Sequence, residues 1–411
     1  METDEKKPYG VVHADCLDVM RRLPDNFVDA VVTDPPYGLG FMGKNWDYGV
    51  PGVEFWKEAL RIAKPGAHLL SFGGTRTFHR IACAIEDAGW EMRDTIMWVY
   101  GSGFPKSMDI SKAIDKKLGA SRAERGGVGD HEGTVDFGMK NRCPKCGKPY
   151  FSANPCTCPR DDLVPITDEA KKWNGWGTCL KPAYEPVIMA RKPIEGTVAD
   201  NVLKYGTGGI NIDECRVSTT DNLNGGAYCK DGHREKGLYG QDRDAKGSGM
   251  FAEGKTCDTE FKQPSGRFPA NVIHDGSEEV VELFPDNVKG GTWNNTNGAR
   301  HFENNGKPTD YTNKGSDNSV GSAARFFYCA KASKSEKGKD NPHPTVKPLE
   351  LMKYLIKMVA PKGALVLDPF MGSGSTGVAA VQIDRRFFGI EKEEEYFNYA
   401  KKRIETAFQN K

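Results

Sequence analysis

Asp34-Pro35-Pro36-Tyr37 places a carboxylate, two prolines and a phenol directly after an apolar run that includes Val28, Ala30, Val31 and Val32. Such a run reads as a strand buried on both faces. The tetrapeptide then falls at the strand's carboxyl end, where open α/β sheets bind ligands. Consecutive prolines lack backbone donors and fix φ twice, so the loop is stiff and offers its carbonyls as acceptors. Asp34 and the Pro35 carbonyl can accept from an NH₂ group while Tyr37 offers a ring for stacking, which suits the exocyclic amine of a nucleobase. A proline-stiffened turn with a helix-capping Asp fits the same residues.

A second chemical cluster lies far downstream. Ala364 to Asp368 reads as another buried strand, followed by a glycine loop, Pro369 to Gly377, that opens a helix over 378–382. Glycines let backbone approach a ligand closely, and the helix N-terminus adds the positive end of its dipole. A strand over 386–390 ends in Glu391, where an acid is placed to accept the hydroxyls of a ribose. The glycine spacing alone fits a dinucleotide site equally well.

Asp34-Pro35-Pro36-Tyr37, the Asp368-Pro369-Phe370 loop with Gly372 and Gly374, and an upstream His343-Pro344-Thr345 with Lys347-Pro348 together resemble the signature motifs of S-adenosylmethionine-dependent DNA amino-methyltransferases. The catalytic tetrapeptide comes first and the glycine loop last, the permuted order of that family's β class, which includes phage and restriction-modification enzymes. The likeness spans 9–105 and 340–405, with a weaker stretch over 173–193. It implies a catalytic Asp34, Pro35, Pro36 and Tyr37. It also implies cofactor contacts from Asp15, Cys16, Thr345, Lys347, Asp368, Phe370, Gly372, Gly374, Ser375, Thr376 and Glu391. Within that set Asp15 and Cys16 read the cofactor adenine, Thr345 and Lys347 touch its methionine end, Asp368 binds the methionine amino group and Glu391 takes the ribose. Asp15 also fits a helix cap and Lys347 an ordinary surface lysine. Tyr184 is the preferred second aromatic wall for a flipped base, while Trp173 and Trp176 fit core packing as well.

The elements that must position these residues alternate. Strands are expected over 11–14, 30–33, 67–72 and 91–99, and helices over 17–23, 55–63 and 77–88, with Lys64-Pro65-Gly66 as a stop and Gly89 as a cap. The alternation predicts an α/β fold with a doubly wound, Rossmann-like methyltransferase sheet, circularly permuted. Three regions are expected: a catalytic half over 1–105, an inserted, loop-rich target-recognition region over 106–335, and a cofactor-binding half over 336–411. Between 218 and 318 the chain is poor in apolar residues and rich in glycine and asparagine, which reads as long surface loops; asparagine pairs well with adenine edges. The same stretch also fits a mobile insert with no part in readout.

The 411 residues carry a net charge of only +1, so contacts with phosphate must come from local patches. One is 101–150, with Lys106, Lys112, Lys116, Lys117, Arg122, Arg125, Lys140, Arg142, Lys145 and Lys148, which also fits a solvated charged face. No signal peptide or long apolar span is evident, so a protein without membrane contact, cytoplasmic in a bacterial or phage-infected cell, is expected. Of eleven cysteines, Cys143, Cys146, Cys156 and Cys158 have the spacing C-x₂-C-x₉-C-x-C, which fits a structural zinc knuckle; reduced surface thiols are the alternative.

The expected reaction is transfer of a methyl group from S-adenosylmethionine to adenine N6 in double-stranded DNA. A homodimer is left as an open assembly state. N4-cytosine methylation uses the same clamp, although Ser more often stands at its first position. Methylation of RNA or protein glutamine, a non-catalytic DNA-binding protein and an NAD-dependent oxidoreductase fit the motifs less well.

Overall fold

The computed structural model describes residues 7–39, 49–101, 103, 107–120, 164–221, 223, 263–289, 320–330, 341 and 346–411. The chain divides into two compact units, one of Met1–Ser102 with Ala183–Lys411 and a smaller one of Gly103–Pro182. In the larger unit the strands are β1 (Tyr9–His13), β2 (Val28–Thr33), β3 (Ala63–Phe72), β4 (Glu91–Val99), β5 (Tyr184–Arg191), β6 (Val272–His274), β7 (Val288–Lys289), β8 (Val320–Gly321), β9 (Tyr328–Cys329), β10 (Leu365–Asp368) and β11 (Arg386–Glu391). β7 and β8 form a separate antiparallel pair, and the other nine form one sheet in the order β1-β11-β10-β2-β3-β5-β4-β6-β9. All its neighbours run parallel except β5, which is antiparallel to both β3 and β4.

The helices are α1 (Cys16–Met20), α2 (Val53–Ile62), α3 (Phe78–Asp87), α4 (Ile110–Lys117), α5 (Asp168–Lys172), α6 (Val198–Tyr205), α7 (Glu278–Val281), α8 (Leu349–Val359), α9 (Ser375–Gln382) and α10 (Glu394–Gln409). Strand side chains alternate between two cores, as the period of two requires. Leu70, Phe72, Val187 and Met189 pack with α8, α9 and α10 on one face. Leu69, Ala67, Ile188 and Ala190 pack with α1, α2 and α3 on the other. Helices on both faces of a largely parallel sheet give the expected doubly wound architecture.

Two features differ from the sequence reading. Lys64-Pro65-Gly66 belongs to β3, which begins at the residue after α2. Proline is tolerated at the first residues of a strand, and Gly66 takes φ +77° beside the Asn201 amide. The sheet also draws β5, β6 and β9 from 106–335, the stretch expected to be loop-rich. β5 is buried along Val187 to Arg191, and β6 joins the sheet with three residues, too few for a periodic signal. Among the described residues no helix is long and apolar enough to cross a membrane.

Gly374 takes φ +78°, and a Cβ there would lie 2.9 Å from the Ala400 Cβ of α10. Gly374→Ala is therefore expected to store about 1–3 kcal/mol of strain and to lower the melting temperature by several degrees in a calorimetric scan.

Candidate active site

Because β11, β10, β2 and β3 run parallel, the loops at their carboxyl ends share one edge of the sheet. A single hydrogen bond ties the two principal loops together: Thr33 Oγ1, at the end of β2, donates to Asp368 Oδ1, at the end of β10, over 2.6 Å. The residues are 335 positions apart in sequence.

Asp34 follows Thr33 and is the centre of a closed ring of polar contacts. The Tyr37 hydroxyl lies 2.7 Å from Asp34 Oδ1 and 2.9 Å from Glu185 Oε2. Lys347 Nζ lies 2.6 Å from Asp34 Oδ2, 3.0 Å from Glu185 Oε2 and 3.2 Å from the Tyr37 oxygen. Lys347 is buried, with its ammonium 4.7 Å from the centre of the Phe72 ring. Burial alone would lower its pKa, but the two carboxylates hold it well above the ordinary value. Burial and the same two carboxylates push the Tyr37 phenol far up as well, so it stays a neutral donor. Burial, followed by the charge of Glu185, takes the Tyr100 phenol to about 12. Gly74 backs Tyr37, where a Cβ would come within 3.1 Å of ring Cδ2.

The glycine loop is organised from within. Asp368 is buried and accepts from Thr33, from the Phe370 N–H at 3.1 Å and from Thr376 Oγ1 at 2.6 Å. Burial raises its pKa to about 6, against the pull of these donors. Glu391 accepts from the N–H of Gly372 at 2.6 Å and of Glu393 at 2.9 Å, and burial raises its pKa too. Gly372 and Gly374 both have positive φ, so the loop turns tightly around these carboxylates. Phe370 leans towards Phe55 and Trp56. Ser375 Oγ receives the Arg403 guanidinium at 3.0 Å, so Ser375 and Thr376 both bond to the protein's own groups. On the β1 side, Asp15 caps α1 through the Leu17 N–H and pairs with Lys392. Cys16 is buried, its thiol pushed up to about 12 by burial.

Lys347, for which the resemblance implies a contact at the methionine end of the cofactor, sits on Asp34 and Glu185. Strand alternation puts Tyr184, 37% exposed, on the sheet face opposite Glu185. Trp173 and Trp176 are exposed in the smaller unit, edge to face at 5.1 Å, so neither is core. Thr345 and the four cysteines Cys143, Cys146, Cys156 and Cys158 lie outside the described residues. Among the described residues no group of acids, histidines and cysteines could hold a metal. Of the basic stretch, Lys112, Lys116 and Lys117 fall on α4.

A sequence profile of the N6/N4 DNA methylase family matches residues 28–126 and 177–402, well over half of the chain. This chain belongs to that family. The methylase is 48% identical over 64 residues to the type II methyltransferase M2.DpnII of Streptococcus pneumoniae, a match that spans 16% of the chain and 24% of that protein. It is 20% identical to the type II methyltransferase M.HindIII of Haemophilus influenzae over 96% of the chain and 94% of that protein. The crystal structure of an M1.HpyAVI–SAM complex superposes with a TM-score of 0.40 at 17% identity, covering 96% of this chain and 98% of that one.

Glu185 and Tyr100 are the site residues that sequence reasoning missed. Glu185 heads the apolar run of β5, and a lone acid at the mouth of a buried strand was the available signal. Asp368 gives the methylase a pH signature. Its folded pKa is raised, so the folded state holds more protons than the unfolded one between about pH 4 and 6, and stability falls as pH rises through that window. About two units correspond to about 3 kcal/mol. Melting curves across this window should slope less for Asp368→Asn than for the wild type.

Proposed function

We propose that the methylase transfers the methyl group of S-adenosylmethionine to N6 of an adenine flipped out of double-stranded DNA. What carries the reading is the Thr33–Asp368 bond, which fixes Asp34 and Tyr37 beside the carboxylate-lined glycine loop. The bound cofactor supplies an electrophilic methyl on a sulfonium. The residues of the loop fit it chemically. All the donors described on Asp368 are neutral hydroxyls or N–H groups, so an ammonium adds the missing charge and favours its ionised form. Each Glu391 oxygen accepts one backbone N–H, and a carboxylate has lone pairs to spare for ribose hydroxyls.

The amine of adenine is a poor nucleophile while its lone pair is delocalised into the ring. Asp34, aided by the Pro35 carbonyl, accepts its hydrogens, which draws the nitrogen towards a pyramidal geometry and exposes the lone pair. Flipping the base costs roughly a few kcal/mol, and stacking on Tyr37 returns about 1–3 kcal/mol. Holding amine and methyl in line supplies much of the remaining acceleration. Adenine is preferred to cytosine because Asp heads the tetrapeptide, because the larger ring stacks better and because A·T pairs open more easily. Within 106–335, the residues outside β5, β6 and β9 are assigned to target recognition, with Cys143, Cys146, Cys156 and Cys158 holding a structural zinc.

Unmethylated duplex DNA incubated with the protein and S-adenosylmethionine, digested to nucleosides and weighed by mass spectrometry, should yield N6-methyladenine. A methylcytosine product with no methyladenine would overturn the base assignment, and no methylated product would overturn the reaction. Asp34→Ala should lower turnover by about two orders of magnitude or more while the protein stays folded.

Metal analysis of protein prepared without chelator should find about one zinc per chain, lost in Cys143→Ser. Zinc-free protein with intact fold would remove the knuckle from this reading.

A further inference from the structure

The ring around Asp34 poses a chemical problem for the proposed reaction, on which the following rests. An incoming amine needs electron density on Asp34, yet the Lys347 ammonium on Oδ2 and the Tyr37 hydroxyl on Oδ1 both draw on it, and the ammonium balances its charge. A buried ammonium cannot simply let go, because an unpaired charge away from water is strongly disfavoured. A second acceptor is already in place for both donors. Glu185 Oε2 lies 3.0 Å from Lys347 Nζ and 2.9 Å from the Tyr37 oxygen, nearly as close as Asp34 is to each.

We infer that Glu185 is a positioning residue for methyl transfer: it takes over Lys347 and Tyr37 when the target amine reaches Asp34, so that Asp34 is released without leaving either donor unpaired. β5 makes this possible. As the one antiparallel strand in the sheet, it starts at the edge where β2 and β3 end, and its parity turns Glu185 to the same face as Phe72, beneath Lys347.

Charge gives the same assignment. Asp34, Glu185 and Lys347 together carry one net negative charge, which suits an amine that gains positive character as the methyl arrives. Without Glu185, Lys347 neutralises Asp34 and holds it closed. No bond other than hydrogen bonds is made or broken in this exchange.

The test compares methyl transfer from labelled S-adenosylmethionine to unmethylated plasmid DNA by the wild type, Glu185→Gln, Glu185→Asp and the double variant Glu185→Gln with Lys347→Met. Cofactor binding is followed by calorimetry and folding by melting temperature. Glu185→Gln should lower kcat on the order of ten-fold or more with cofactor affinity unchanged, since the charge it removes acts on the amine in the transition state. Glu185→Asp, which keeps the charge, should fall between. The double variant restores the net negative charge and frees Asp34, so it should regain part of the lost rate. Wild-type kcat in Glu185→Gln overturns the inference alone, as does a loss of rate matched by an equal loss of cofactor affinity, which marks a merely structural residue. No transfer by the wild type overturns the functional reading and this inference with it.

Discussion

Lys347 is the fixed point of the site. An ammonium buried against Phe72 is tolerable only because two carboxylates meet it, one from the end of β2 and one from the start of β5. Leaving a buried charge with no partner typically costs on the order of 3–5 kcal/mol, and the two carboxylates that prevent this tie both strands to α8, which begins two residues after Lys347. The loop after β2 is stiffened from within by Pro35 and Pro36 and from without by this pairing. Tyr37 is then held by its hydroxyl at one end and by Gly74 along its ring. The loop is fixed in this way before any ligand arrives, which lowers the ordering cost of binding.

The parts of the fold that were legible from sequence are those whose signal is local. Val28 to Thr33 before the D-P-P-Y loop, the strand ending in Asp368, the glycine turn and the strand ending in Glu391 all appear where composition and periodicity place them. The short elements were not legible. β6 and β9 hold three and two residues and owe their state to the strands beside them rather than to any pattern of their own. β5 was obscured for another reason. Glu185 stands beside the more conspicuous Tyr184 at its head, and the partners of Glu185 come from positions 37 and 347, a relation that exists only in three dimensions.

The glycine loop stands between β10 and α9, and its residues make contacts of different kinds. Gly374 is needed because α10 packs directly against it, and Ser375 and Thr376 point their hydroxyls at Arg403 and Asp368. Those contacts fix where Asp368 and Glu391 stand, and the two carboxylates are the groups with chemistry to spare. Asp15 behaves likewise: it caps α1, as its position before Cys16 allows, and keeps one oxygen on the exposed Lys392. A residue set carried over from family motifs therefore separates, on this geometry, into side chains that shape the loop and side chains that can meet a ligand.

Charge distribution along the carboxyl edge links these observations. Asp34, Glu185, Asp368 and Glu391 lie at or beside strand ends on one edge, and Lys347 is the cation that sits among them. Burial already disfavours the ionised forms of Asp368 and Glu391, so this edge resists further negative charge and favours positive charge. A dinucleotide would bring two phosphates to such an edge and meet repulsion. S-adenosylmethionine carries a sulfonium and an ammonium against one carboxylate, so its net positive charge would meet attraction. On the proposed reading the electrostatics of the strand ends, more than the glycine spacing, choose between the two cofactors, because the spacing suits either and the charge suits one.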